Sequence, residues 1–388
     1  MPNPEANKNI IAVGNNEESA MKRPVLGLLF MVLAMLLGLP ASAQQPKGGP
    51  VEIGVGYFPS WNGGWSGTVI KKKELWKKYL PAGSTVRWEV TLVGFPVFNA
   101  MLANRLQIGY IGDAPSMVAT TKRDVADIRI VSLHHQSPGN ICAIILVRPD
   151  APNFQSPEEW LKWLNGKRFG VAGRASCGDR FTSFLETRLG VKFGDKAYLG
   201  PEVIRTQLQA GTIDAAQQFE PNVSQIVASG IAKIAFTGNI WNWTEGSALI
   251  MRKDFIDKNY EVAKGWVKAD LEGLKFIIDH PDEVSRMVAE ELPGWTPAMV
   301  RSALDGRFPP HAGAKDVNEV LGAPFDKAMM DYFRDAYRFW HSVKAIPSPD
   351  MPEGAVYTKL LEEAAAELGM KLPVGVVKGT GAQKGTAK

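Results

Sequence analysis

Between residues 51 and 251, short apolar runs of strand length alternate with segments of helical periodicity. Residues 86–92 alternate apolar and polar side chains, as a half-buried strand does, whereas Phe181, Leu185 and Leu189 recur at helical spacing. Alternating strands and helices form open α/β sheets, whose ligands bind at the carboxyl ends of the strands. The sequence therefore predicts an α/β fold, with any small-molecule site on the loops between strands and helices.

The alternating units fall into two groups separated by two crossings. Residues 148–152, Arg-Pro-Asp-Ala-Pro, have the composition of a linker, and a second crossing is expected near residues 237–246. We therefore expect one lobe from residues 44–147 and 247–370, which includes helices in its C-terminal part, and a second lobe from residues 148–246. A cleft between two lobes is a common place for a small-molecule site.

Both ends of the chain lack the pattern of the two lobes. A basic segment, an apolar run and the small-residue pattern Ala41-Ser42-Ala43 predict a cleaved signal peptide at residues 21–43, with an uncleaved anchor as the alternative. Residues 1–20 are then a mis-annotated extension, and the mature chain is expected in the periplasm. Residues 371–388 are rich in Gly, Lys and Thr and are predicted to be a disordered tail.

Composition and motifs exclude several classes of function. The net charge of +4 is small, and the lysines of residues 71–78 are interpreted as a solvated helix face, so we expect no nucleic-acid partner. The five histidines and two cysteines show no metal-ligand spacing, so neither a metal nor a cofactor is predicted. Cys142 and Cys177 could form a disulfide in an oxidising compartment or remain two buried thiols.

Four segments in the alternating region form a recognisable series. They are GYFP at residues 56–59, AMLANRLQIGYIGDAP at residues 100–115, GKRFGV at residues 166–171, and QAGTIDAA followed by FEP at residues 209–221. Together they resemble the solute-binding proteins of the nitrate, taurine and alkanesulfonate ABC importers. Their order and spacing extend over residues 51–280. The resemblance implies a bilobed type II periplasmic binding protein, with two open α/β lobes and a ligand cleft between them.

The resemblance also implies what such a chain does. It is expected to be the substrate-binding component of an ABC importer, which captures a small organic anion or zwitterion similar to taurine or an alkanesulfonate. Its partners would be a membrane permease and its ATPase, and the protein would act as a monomer without catalysis. The alternatives are an enzyme of cofactor-precursor metabolism on the same fold, or a periplasmic ligand sensor.

Candidate ligand-binding residues lie first on the loops that follow the early strands. Tyr57, Trp61 and Trp65 surround a glycine pair, and their rings suit a wall against an organic ligand. Asp113 is placed at the start of a helix, where backbone N–H groups can bind an anion. The family often has a hydroxyl residue in this turn, so an aspartate there departs from the family pattern. Gln136 follows a later strand.

The remaining candidates lie in the second half of the alternating region. The resemblance places ligand contacts at Ser176 and Cys177, and Arg174 or Arg180 could clamp a carboxylate or sulfonate. Glu220 and Asp113 together could hold an ammonium group, which would favour a zwitterion. Trp241 lies on the return crossing and is expected to close over the ligand or to pack the hinge.

Overall fold

The computed structural model of the protein describes residues 48–306, 308–313 and 317–379. The predicted extension at residues 1–20 and the predicted signal peptide at residues 21–43 lie outside this part of the chain. Within the described residues, no helix is both long enough and apolar enough to cross a membrane.

Two β-sheets organise the described chain, which confirms the predicted bilobed α/β fold. The first has seven strands in the order β12-β11-β4-β10-β3-β1-β2, and the second has five in the order β7-β6-β8-β5-β9. The strands of the first sheet are β1 Glu52–Tyr57, β2 Thr85–Val90, β3 Ile108–Gly112, β4 Ile128–Ser137, β10 Glu245–Arg252, β11 Val317–Ala323 and β12 Gly375–Lys378. Those of the second are β5 Ile144–Val147, β6 Arg168–Ala172, β7 Asp195–Leu199, β8 Ala215–Gln218 and β9 Lys233–Thr237.

Both sheets combine parallel and antiparallel pairs. Strand β1 pairs in parallel with β2 and β3, whereas β10 runs antiparallel between β3 and β4. In the second sheet, β6 pairs in parallel with β7 and β8, and β5 runs antiparallel between β8 and β9. The loops that leave β3, β6 and β7 for their following helices therefore lie at the carboxyl ends of parallel strands, where a ligand site is expected.

The helices follow the strands as the periodicity predicted, and several begin at the expected residue. Ser156 accepts a hydrogen bond from the Glu159 N–H at 3.2 Å and caps the helix that starts at Pro157. The helices are α1 Trp65–Lys73, α2 Gly94–Leu102, α3 Asp113–Thr120, α4 Pro157–Leu164, α5 Cys177–Thr187, α6 Pro201–Ala210, α7 Asn222–Ala228, α8 Lys253–Lys258, α9 Tyr260–Asp279, α10 Pro281–Ala289, α11 Pro297–Asp305, α12 Lys327–Ser342 and α13 Lys359–Glu367.

The central strands of the first sheet are covered on both faces. Ile53 and Val55 project into a core shared with Trp266 of α9, while Ile111 and Ile250 belong to a core on the other side. That second core contains Phe333, Tyr337 and Trp340 of α12, at the spacing that the sequence predicted for a helix. The helical C-terminal part therefore packs onto the first sheet.

The first crossing differs from the sequence prediction. It occupies residues 138–143, because β4 belongs to the first sheet while β5 already pairs with β8 and β9 in the second. The linker-like residues 148–152 come after β5 and lie within the second lobe. The return crossing runs between β9 and β10, inside the predicted span of residues 237–246.

The C-terminal segment also differs from the prediction of a disordered tail. Gly375–Lys378 form strand β12, which pairs antiparallel with β11 at the edge of the first sheet. Val376 and Val377 alternate in exposure along this strand. An edge strand of four residues is too short to show a clear strand pattern in the sequence. The Gly and Lys residues around it therefore led to the prediction of a disordered tail. Residues 380–388 lie outside the described part.

Candidate functional site

A cavity of about 340 Å³ lies between the two lobes, and we call it the cleft cavity. The first lobe supplies residues from the loops after β1, β2 and β3, and the second supplies residues from the loops after β6, β7 and β8. All six loops leave the carboxyl ends of their strands, as the fold class predicts. The lining residues are Phe58, Trp61, Val93, Gly94, Phe95, Gly112 and Pro115 of the first lobe, and Ala172, Gly173, Arg174, Ala175, Ser176, Cys177, Tyr198, Leu199, Gly200, Pro201 and Phe219 of the second.

The first turns of four helices meet at the cleft cavity. Helices α2, α3 and α6 begin after Val93, Gly112 and Gly200, none of which caps its helix with a side-chain hydrogen bond. Helix α5 begins after Ser176. Each helix start carries backbone N–H groups without intrahelical partners and the positive end of a helix dipole. Four such starts around one cavity favour a negatively charged group inside it.

The loop from β6 to α5 has an unusual backbone that brings it close to the cavity. Gly173 and Ala175 have positive φ angles of 88° and 54°, the second being rare for a residue with a side chain. Asp179 holds this loop, because its carboxylate accepts hydrogen bonds from the Ala175 N–H at 2.9 Å and from the Tyr198 hydroxyl at 2.8 Å. Asp179 is therefore a positioning residue behind the cavity wall.

One guanidinium group stands at the cavity itself. Arg174 is exposed, and its guanidinium carbon lies 4.8 Å from the centre of the Tyr198 ring, which also lines the cavity. Stacking on an aromatic ring orients the planar guanidinium and leaves its N–H donors for a ligand. Of the two arginines that the sequence offered as a clamp, Arg174 is the one in position.

Besides Arg174, three of the predicted site residues line the cleft cavity. Trp61 is buried, and its ring packs edge-on against Phe219 from the second lobe at 5.4 Å between centroids. Ser176 caps α5, since its Oγ accepts from the Asp179 N–H at 3.1 Å and donates to the Gly173 carbonyl at 2.8 Å. Cys177 lines the cavity as half of a disulfide with Cys142, so it offers a disulfide sulfur rather than a thiol.

Four other predicted residues lie outside the cavity lining. Tyr57 is buried, and its hydroxyl donates to Glu291 at 2.8 Å. Trp65 is buried in the core, with Nε1 donating to the Pro59 carbonyl at 2.9 Å. Gln136 sits in β4 between its partners on β10 and β11. Trp241 packs against Phe236 in the core of the second lobe.

Arg180 and Asp113 also lie outside the cavity lining, and they face each other across the two lobes. Asp113 is buried and accepts hydrogen bonds from the Gly246 N–H at 3.1 Å and from the Tyr332 hydroxyl. Burial raises the pKa of Asp113, and the positive charge of Arg180 opposes that rise. Arg180 is sandwiched between the rings of Trp243 and Tyr332, at 4.3 and 4.6 Å from their centres. Both groups therefore serve the contact between the lobes.

Asp113 belongs to a set of four buried acids that we call the carboxylate layer: Asp113, Glu220, Glu245 and Glu319. Glu220 accepts from the Ser224 N–H at 2.9 Å. Glu245 accepts from three successive N–H groups of the first crossing, at Ile141, Cys142 and Ala143, at 2.6, 2.8 and 2.9 Å. Burial raises the pKa of Glu220 and of Glu245 to about 7. These carboxyl groups therefore hydrogen-bond to the backbone, and Glu245 does so at the first crossing between the lobes.

Glu319 adjoins a pair of buried histidines. The Asn62 amide donates to Glu319 at 2.8 Å, and burial raises the pKa of that carboxyl to about 8. The Ser247 hydroxyl lies 2.7 Å from His134 Nε2 and 2.9 Å from His135 Nδ1. Burial lowers the pKa of both histidines, to about 3 for His134. Gly63 allows this packing, because a Cβ there would stand 2.2 Å from Ser247 Oγ.

The sequence analysis missed several residues of the cavity wall. Phe58 and Phe219 belong to the GYFP and FEP segments that carry the resemblance. The sequence therefore placed both residues near the site, but it did not predict that their rings line the cavity. Phe95 immediately follows the glycine with which α2 begins, and Tyr198 is the second-last residue of strand β7, which the sequence did not predict. Because strand β7 was not predicted, the loop that follows it could not be placed at the cavity.

Fold and cavity together define a class of architecture, the type II periplasmic binding fold, with two α/β lobes and a cavity between them. A model of the NMT1-like family matches residues 195–292. The chain is 25% identical over 204 residues to the taurine-binding periplasmic protein of Escherichia coli (strain K12). That match covers 52% of this chain and 60% of the relative, so it spans under two thirds of the relative's length.

Two further comparisons cover more of the chain. The putative aliphatic sulfonates-binding protein of Escherichia coli (strain K12) is 23% identical over 298 residues, which is 76% of this chain and 88% of that protein. The crystal structure of the periplasmic aliphatic sulphonate binding protein from Escherichia coli superposes with a TM-score of 0.65 at 19% identity, covering 80% of this chain and 93% of that one. The predicted resemblance to solute-binding proteins of sulfonate and taurine importers is confirmed.

Proposed function

We propose that the protein is the substrate-binding component of an ABC importer and that it captures a small organic anion of the sulfonate class in the periplasm. The observation that carries this proposal is the cleft cavity, where four helix starts meet among aromatic rings between two lobes. The names of the sulfonate-binding and taurine-binding relatives support the same class of ligand.

The charge of the cavity wall favours an anion over a zwitterion. Arg174 lines the cavity and carries a permanent positive charge. The lining residues within the described chain include no carboxylate. An ammonium group would need an acceptor of negative charge, but Asp113 and Glu220 make other hydrogen bonds and do not line the cavity. We therefore favour a sulfonate with a hydrocarbon body over taurine, which carries an ammonium group.

The apolar wall favours a ligand with an organic body. Phe58, Trp61, Phe95 and Phe219 line the cavity together with Tyr198. Rings of this kind bury hydrocarbon and stack on flat groups, and an inorganic ion such as nitrate would leave most of them without contact. The anionic group would then face the helix starts while the organic body lies against the rings.

Capture follows from the bilobed fold. A ligand that contacts both lobes binds the closed arrangement more tightly than the open one, and so shifts the population towards closure. The closed monomer would be the form that delivers the ligand to the permease and its ATPase. The proposed role is binding rather than catalysis. Ser247, His135 and Glu319 resemble a nucleophile, base and acid, but the burial of all three and the 4.0 Å between His135 Nε2 and Glu319 favour a structural role for them.

A thermal-shift screen of the refolded protein tests this proposal. The panel holds pentane-1-sulfonate, taurine, nitrate, an aromatic carboxylate and pentylamine. A ligand at about a hundred times its dissociation constant adds about 2.7 kcal/mol to the free energy of unfolding and raises the melting temperature by a few degrees. Stabilisation by the sulfonate is expected. Stabilisation by pentylamine alone would refute the anion site.

A further inference from the structure

A second cavity of about 330 Å³ lies along the later turns of α5, and we call it the hinge cavity. It is bounded by Arg180, Phe184 and Arg188 of α5, by Trp241 and Trp243 of the return crossing, and by Tyr332 of α12. Like the cleft cavity, it takes its walls from both lobes. Unlike the cleft cavity, it adjoins a crossing between them.

Aromatic rings form the walls of the hinge cavity. The Phe184 ring centre lies 6.1 Å from that of Trp241 and 5.1 Å from that of Trp243. All three rings are partly exposed, as is Tyr332 on the opposite lobe. Arg180 covers one face of Trp243 and one face of Tyr332, so a flat ligand would contact the parts of these rings that remain exposed, together with the exposed part of Trp241.

The charge of the hinge cavity is positive. Arg180 and Arg188 both border it, and in the described part of the chain Arg188 makes no ion pair. Asp335 is the acid on its border and pairs with Arg338 at 3.0 Å, while Asp113 faces Arg180 from the first lobe. Arg188 therefore remains as an exposed cation with all its N–H donors available to a carboxylate.

We propose that the hinge cavity is a second ligand site, which takes an aromatic carboxylate: the ring lies against Trp241 and Trp243, and the carboxylate pairs with Arg188. A molecule there touches both lobes and the return crossing. It also touches α5, whose first residues, Ser176 and Cys177, border the cleft cavity.

Two matched arginine variants test the proposal with 2-naphthoate as the probe, by calorimetric titration of the full chain. Arg188→Ser removes the cation of the hinge cavity, and Arg174→Ser removes the cation of the cleft cavity. Both arginines are exposed, so both variants are expected to fold as the parent does. Arg188→Ser should weaken 2-naphthoate binding roughly tenfold, and Arg174→Ser should leave it within about twofold.

Every other pattern contradicts the proposal. Loss of binding in Arg174→Ser but not in Arg188→Ser would place 2-naphthoate in the cleft cavity. Unchanged binding in Arg188→Ser would mean that Arg188 does not recognise the carboxylate. Equal losses in both variants would mean that the hinge cavity is not a separate site for 2-naphthoate, and the absence of saturable binding to the parent would remove the site. The test does not use the ligand of the cleft cavity, so its outcome is independent of the proposed function.

Discussion

The cleft cavity and the carboxylate layer lie in the same region between the lobes, but they are built from opposite chemistry. The cavity wall combines backbone helix starts, aromatic rings and one arginine. The carboxylate layer combines four buried acids, each of which accepts at least one hydrogen bond from backbone or side chain. The difference indicates that the acids hold the crossings and the lobes in place, while a ligand in the cleft cavity would meet uncharged backbone donors and the cation of Arg174.

The largest expected effect concerns the acid that holds the first crossing. Glu245→Ala leaves three buried N–H groups, at Ile141, Cys142 and Ala143, without their acceptor. An unsatisfied buried donor costs about 1–3 kcal/mol, so the free energy of unfolding should fall by at least about 3 kcal/mol. Urea unfolding followed by fluorescence measures this loss.

The control for that variant is Glu202→Ala, which removes an exposed acid paired with Arg205. Its expected cost is within about 0.5 kcal/mol, because exposed pairs contribute little. If Glu245→Ala were as stable as Glu202→Ala, then the carboxylate layer would not have the structural role that separates it from the cavity wall.

The next effect concerns the cation of the cavity wall. Arg174→Ala should weaken the binding of pentane-1-sulfonate by about tenfold, because a charge-assisted hydrogen bond is lost while the fold is kept. Arg205→Ala is the matched control on the same lobe, since Arg205 pairs with Glu202 at 3.0 Å and does not line the cavity. Equal affinities for the two variants would remove Arg174 from the site.

A third prediction uses the raised pKa of Glu319, which burial brings to about 8. An unfolded glutamate has a pKa of about 4.3, so between these values the native state holds more protons than the unfolded state. The free energy of unfolding therefore falls as pH rises, until both states are ionised above about pH 8. Glu319→Gln should flatten this fall by up to about 1.4 kcal/mol per pH unit.

Denaturant titrations of the parent and of Glu319→Gln between about pH 5 and 8 measure the difference between the two slopes. The buried histidines act in the opposite direction, because their pKa values are lowered in the native state, but both proteins contain them and their contribution cancels in the difference. Parallel slopes for the parent and for Glu319→Gln would show that Glu319 is ionised throughout in the native protein.

The smallest effect concerns Arg180, which joins the lobes outside the cavity. Arg180→Ala loses its contacts with Trp243 and Tyr332 and its hydrogen bond to the Thr244 carbonyl, of 3.2 Å. The contact with Tyr332 is the one that reaches the first lobe, and a partly exposed cation–π contact contributes about 0.5–1 kcal/mol, so affinity should fall by a few-fold, equally for short and long sulfonates. Calorimetry on a chain-length series measures this. A loss that depends on the ligand would mean that Arg180 touches it.

The fold was largely predictable because strand and helix periodicities are local. The pattern of residues 51–251 and the helical stripe of Phe333, Tyr337 and Trp340 both appear in the structure. Strand β7 was missed because Asp195–Leu199 lies at a sheet edge, where its side chains are half-buried and the apolar alternation is weak. The first crossing was misplaced because a proline-rich turn within a lobe has the same composition as a linker between lobes.

The loops of the site were predictable, but the roles of charged residues on them were not. Asp113 finds its partners Gly246 and Tyr332 at 133 and 219 positions along the chain, and Glu245 binds N–H groups more than a hundred positions away. A sequence shows a charge without showing these partners, so Asp113, Arg180 and Glu220 suggested ligand contacts. The backbone donors of the helix starts carry no side-chain signal at all.

Calorimetric titration of the refolded protein with pentane-1-sulfonate and taurine tests the central claim most directly, since the two ligands share a sulfonate and differ in body and ammonium. The account predicts that pentane-1-sulfonate binds at least about tenfold more tightly, because its body is apolar and the cavity wall offers no carboxylate to the ammonium. Tighter binding of taurine would contradict it, and would mean that an acid of the carboxylate layer reaches the ligand.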